Sequence, residues 1–185
     1  EEHLRNEPWM LRWIENQTYN EQWKHGSLCE DYGAIQCATY LIGGWRDGYT
    51  NCNLRTFERL QCPKKALIGP WLHAYPDIGV PGPRIDHLHE MIRFYDYWLK
   101  DVDTGIMDEP PVTIYVQHYD EPRADRPVTS GEWRHEPGWP LDRSRETRLY
   151  FAAGGALQGE RPAGEAGATY TYNPTVGTTY GMFSA

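Results

Sequence analysis

The sequence is short of positive charge, of long apolar runs and of serine, and each shortage removes a class of function. Lysine and arginine number 18 against 26 aspartate and glutamate residues, giving a formal net charge of −8 with no basic cluster. A nucleic-acid partner needs a Lys/Arg stripe to displace counterions from phosphate, so none is expected. No apolar run approaches the ~20 residues that a helix needs to cross a bilayer, so no membrane partner is expected. No signal peptide opens the chain, and the compartment stays open between cytoplasm and secretion. The four cysteines, Cys29, Cys37, Cys52 and Cys62, match no zinc or redox spacing and read as free, buried thiols. His87 and His89 stand two apart, so on a helix they point to different faces, whereas chelation from one helix wants a spacing of four. Neither a metal nor a cofactor is expected. The serines are Ser27, Ser130, Ser144 and Ser184, and none lies in a G-x-S-x-G turn.

What is present is concentrated between Thr39 and His73. The apolar run Tyr40-Leu41-Ile42 ends in a glycine-containing turn that delivers Asp47. The run Ala66-Leu67-Ile68 ends in a second such turn that delivers His73. Between them Leu54, Phe57 and Leu60 recur every three residues, a helical stripe over Thr50–Leu60, stopped by Cys62-Pro63. Strand, helix, strand makes a βαβ unit with parallel neighbouring strands. In such sheets functional groups sit just past the carboxyl ends of the strands. Asp47 and His73 both sit there, acid first. A histidine base needs an acid on its other ring nitrogen to fix its tautomer and stabilise the imidazolium. In α/β-hydrolases the chain order of the triad is Ser, Asp or Glu, His. The expected catalytic residues are therefore Asp47 and His73.

The segments G-G-W-R-D-G-Y-T at Gly43–Thr50 and I-G-P-W-L-H-A at Ile68–Ala74 resemble the paired motifs of the cocaine-esterase and X-prolyl dipeptidyl aminopeptidase group of serine hydrolases. Further likenesses run in order at Asn20–Leu28, Phe94–Asp101, Pro110–Val116 and Glu132–Leu141. The resemblance implies that Asp47 and His73 belong to a triad and that Tyr49 faces the acyl pocket. Trp45 is the other expected substrate-binding residue. Arg46 stands where the family often has an aromatic, and Cys37-Ala38 where Val-Pro is usual. The nucleophile and oxyanion-hole regions of the family have no counterpart here. Together with the first residue, Glu1, this reads as an internal piece of a longer protein.

The expected fold class is α/β: the C-terminal portion of a hydrolase sheet over residues 1–109, followed over 110–185 by the start of a jelly-roll sandwich. Residues 1–30, with Trp9 and Trp13 on one helix face, read as the end of a helical cap or as a surface helix packed on the sheet. Asp86 should cap a helix whose face Leu88, Met91, Ile92, Tyr95 and Leu99 packs on the sheet. Val112–Val116 alternates as a half-buried strand, with further strands expected at Arg148–Ala152 and Thr169–Tyr172. The function expected of the intact protein is hydrolysis of small-molecule esters, amides or X-prolyl peptides through a Ser-Asp-His triad, with this piece inactive alone. The alternatives are a sugar- or peptide-binding module derived from a decayed hydrolase, and an α/β enzyme with a carboxylate nucleophile.

Overall fold

The computed structural model of the chain describes residues 5–121, 123, 126–164, 167 and 169–175. The helices are α1 (Trp9–Glu15), α2 (Glu21–Lys24), α3 (Thr50–Arg59) and α4 (His87–Lys100). The main sheet runs in the order β1 (Thr39–Gly44), β2 (Lys64–Gly69), β3 (Val112–Gln117) and β4 (Gly131–Glu136). β1 and β2 are parallel, with Thr39 opposite Lys64 and Gly44 opposite Gly69. β3 continues parallel to β2, and β4 closes the series antiparallel to β3.

One face of this sheet is a dry core. Leu54 and Phe57 of α3 meet Ala66 and Ile68 of β2 and Val112 and Ile114 of β3, with Leu41, Trp45 and Trp139 at the margin. Burying each large side chain of this kind contributes about 1.5–3 kcal/mol. β2 is buried along almost its whole length, as its unbroken apolar run predicts for a strand covered on both sides. The turn between β1 and α3 is held by Thr50. Its buried hydroxyl contacts the carbonyl of Gly44 and donates to that of Asp47 at 2.9 Å.

On the other face α4 is capped as expected, Asp86 accepting from the His89 N–H at 3.1 Å. The face it turns to the sheet overlaps the expected one only in part: Met91 and Tyr95 border the space between α4 and β1. Phe94 is buried against Tyr40, ring centroids 5.5 Å apart, while Leu88, Ile92, Tyr95 and Leu99 are exposed. Two apolar lines run side by side on this helix, and periodicity alone does not say which meets the strands. Below Phe94, Arg93 bridges Glu90 and Glu109, and the buried Lys65 donates to Ile106 O at 2.8 Å and lies 3.4 Å from Glu109. Burial pushes the Lys65 ammonium pKa down, against the pull of Glu109. Burial and then Glu90, whose carboxylate accepts from the Tyr40 hydroxyl at 3.3 Å, push the Tyr40 pKa up.

Four further expectations are corrected. The strand assigned to a second unit from Pro110 onward, β3, pairs with β2 through Ala66–Val112 and Ile68–Ile114, so residues 112–136 extend the first sheet. β4, Gly-Glu-Trp-Arg-His-Glu, had no apolar signature, because Glu132 and Arg134 point out from an edge strand while the buried Glu136 is paired with Arg134 and Arg143. Beyond it, Tyr150–Phe151 (β5) pairs with Leu157–Gln158 (β6), and Thr169–Tyr172 has no strand. Helix α1 buries none of its residues on the sheet, and Trp13 packs instead near Trp23, 6.4 Å between ring centroids. Cys29, Cys37 and Cys52 are exposed and Cys62 is half-buried, where buried thiols were expected.

Candidate active site

β1 and β2 end side by side, and the backbone ties their two loops together. Trp45 N–H donates to Gly69 O at 2.8 Å, and Arg46 N–H to Trp71 O at 3.1 Å. This close approach requires glycine at 44, since a Cβ there would collide with the Trp71 carbonyl. The Trp71 ring is fully buried, pressed on Gly69 and Gly79, and its indole donates to Pro83 O at 2.8 Å. The Pro- and Gly-rich loop that follows is pinned in turn. Gly82 N–H donates to Pro127 O at 2.7 Å and Thr129 N–H to Gly82 O at 3.0 Å. The β3–β4 connection thus braces the loop that carries His73.

The result is one defined pair. His73 Nδ1 lies 3.0 Å from Asp47 Oδ2. The other carboxylate oxygen accepts from the Tyr49 backbone N–H at 2.9 Å, which fixes the carboxylate plane. An ionised carboxylate only accepts, so Nδ1 is the protonated nitrogen and Nε2 is the one that can take a proton. Asp47 is mostly buried, 14% of its side chain exposed, and His73 is 54% exposed, so the carboxylate is sheltered and the imidazole reachable. Both line a cleft of about 900 Å³ between β1 and α4, walled by Tyr40, Ile42, Met91 and Phe94.

The two expected substrate-binding aromatics part company. Tyr49 stands beside the pair, its ring edge-on to His73 with centroids 5.5 Å apart. Trp45 does not reach the cleft. Its indole donates to Tyr115 O at 2.7 Å and its ring packs on the α3 side of the sheet. The reason is the period of two along a strand. Tyr40 and Ile42 face the cleft, while Leu41 and Trp45 share the other face.

Sequence reasoning missed a second cluster on the cleft wall. His87 is buried, stacks flat on Tyr75 with centroids 5.4 Å apart, and has Nδ1 3.2 Å from Asp77 Oδ1, outside hydrogen-bonding geometry. Weighing His87 only with His89, as a metal pair, hid its contact with the loop after His73. Among the described residues no group of three His, Cys, Asp or Glu side chains could hold a metal, and no helix is long and apolar enough to cross a membrane.

A mixed sheet flanked by helices, with an acid and a histidine past the ends of adjacent parallel strands, is the architecture of an α/β-hydrolase. Comparison with known proteins agrees. The X-Pro dipeptidyl-peptidase (S15) family matches residues 1–75. A protein from Mycobacterium bovis whose name presumes a serine esterase is 32% identical over 156 residues, covering 80% of this chain and 23% of that protein. Cocaine esterase from a Rhodococcus species is 25% identical over 190 residues, 90% of this chain and 31% of the esterase. The crystal structure of a CocE/NonD family hydrolase from Staphylococcus aureus superimposes with a TM-score of 0.62 at 17% identity, over 83% of this chain and 26% of that one. The chain is thus similar to the cocaine esterase and X-Pro dipeptidyl-peptidase group of hydrolases, with the family match falling on residues 1–75. It spans about a quarter to a third of the length of these relatives.

Proposed function

We propose that this chain supplies the acid and base of a serine hydrolase acting on small esters, amides or X-prolyl peptides. The observation that carries the reading is the His73 Nδ1–Asp47 Oδ2 contact of 3.0 Å at the ends of two parallel strands. A serine outside this chain attacks the substrate carbonyl. His73 Nε2 takes the hydroxyl proton and returns it to the leaving group, and Asp47 holds the ring and stabilises the imidazolium. Water then repeats the sequence on the acyl-enzyme, so no cofactor is needed. Oxyanion donors also come from outside the chain. Tyr49, edge-on to His73, borders the acyl group. Trp45 is left a structural role by its bond to Tyr115. The exposed apolar line on α4 and the open side of β1 are the surfaces that the rest of the catalytic unit would cover. A jelly-roll domain would begin after β4, downstream of the boundary first expected at Pro110.

Labelling with a fluorophosphonate tests this reading. The full-length protein should be labelled on one serine, and His73→Gln should slow labelling at least a thousandfold by removing the general base, about the scale on which triad members act. This chain alone should not be labelled. Labelling of the full-length protein that is indifferent to His73 would overturn the assignment.

A further inference from the structure

Two thiols stand where the strands that carry the acid–histidine pair begin. Cys37 precedes β1 by two residues, and Cys62 precedes β2 by two residues. The pairing of β1 with β2 starts at Thr39 opposite Lys64, and Thr39 N–H donates to Pro63 O at 2.9 Å. Continued back by two residues, that register sets Cys37 opposite Cys62. The Thr39 hydroxyl marks the same point in space. It donates to Cys37 O at 3.1 Å and lies 3.7 Å from Cys62 Sγ. Neighbouring strands are about 4.8 Å apart, inside the ~4.4–6.8 Å Cα separation that a disulfide spans. Both thiols are free in this structure; Cys37 is exposed and Cys62 half-buried, so oxidant can reach them.

We infer that Cys37 and Cys62 are a redox-modification site, closing to a disulfide that staples the leading ends of β1 and β2. The oxidant is a hydroperoxide. One thiolate attacks the peroxide oxygen, the O–O bond breaks, and a sulfenic acid and an alcohol or water are formed. The second thiolate attacks the sulfenic sulfur; the S–S bond forms and the S–O bond breaks. The leaving hydroxide takes up a proton as water. Overall two thiols lose two protons and two electrons, and the peroxide is reduced to alcohol and water. The staple closes a loop that holds β1 and α3, so it limits the unfolded chain without contacting Asp47 or His73.

The test is peptide mapping of the full-length protein after treatment with hydrogen peroxide, free thiols being alkylated without reduction. The expected product is a peptide pair joining Cys37 to Cys62, with Cys29 and Cys52 still alkylated. Tm should rise by roughly 5–10 °C, fall back on reduction, and stay unchanged by peroxide in Cys62→Ser. Finding Cys37 and Cys62 both alkylated, over-oxidised singly, or bonded to other cysteines would overturn the proposal. Mapping uses the unmutated protein, so a variant that fails to fold does not blur the result.

Discussion

The two faces of the same parallel strands have been put to opposite uses. On the α3 side, Leu41 and Trp45 join Leu54, Phe57, Ala66 and Ile68 in a packed core. On the α4 side, Tyr40 and Ile42 look into an open cleft that holds Asp47 and His73. The alternation of one strand, residue by residue, separates stability from chemistry. What joins the two faces is the strand end, where Gly44 touches Trp71 and Thr50 closes the turn below Asp47.

Breaking the covered face should cost stability and leave the chemistry of folded molecules alone. Phe57→Ala removes a ring 3% exposed. It should destabilise the protein by about 3–5 kcal/mol, read by denaturant unfolding, with the activity per folded molecule kept. Equal losses of stability and of activity per folded molecule would show that the two faces are not separate. Gly44→Ala attacks the joint instead. The added methyl must push back the Trp71 carbonyl, at about 1–3 kcal/mol, and should also lower kcat by moving His73 away from Asp47. A Gly44→Ala protein with normal kcat would mean that the pair does not depend on this contact.

A smaller effect comes from carboxylates that belong to neither face. Glu136 is held at a pKa of about 2 by the Arg143 hydrogen bonds, against burial, with Arg134 adding to them. Asp120 is held at about 2 by the Ser130 backbone N–H and the Thr129 hydroxyl. Their ordinary values are 4.5 and 3.8. Both are depressed on folding, so their contribution is complete above the ordinary values and is lost as pH falls toward 2. Tm should drop across that window, and Glu136→Gln should flatten the drop. An unchanged slope in Glu136→Gln would remove Glu136 from the acid response.

The same contrast explains what could be read from the chain. The βαβ unit and the acid–histidine pair were legible because each rests on a strong local signal: an unbroken apolar run, a stripe at three-residue spacing, and a glycine turn at each strand end. Trp45 was misplaced although the parity with Tyr40 and Ile42 was in plain view, because the motif around it drew attention to chemistry. The face of α4 was only partly legible: Met91 and Tyr95 do border the cleft, but Leu88, Ile92 and Leu99 look as apolar as the buried Phe94. Only the third dimension chooses between them. β3 was given to another unit because a Pro-Pro break looks the same whether the next strand starts a new domain or returns to the sheet. β4 hides its role in charge, since an edge strand needs Glu132 and Arg134 to discourage further pairing.

The central claim is that Asp47 serves His73 and nothing else of consequence. Asp47→Asn in the full-length protein, assayed for kcat on an activated ester alongside Tm, tests it most directly. The amide keeps the shape but favours the wrong imidazole tautomer, so kcat should fall by about 10⁴ while Tm changes little. A loss of less than tenfold would contradict the account, and so would a collapse of Tm that accounts for the lost activity.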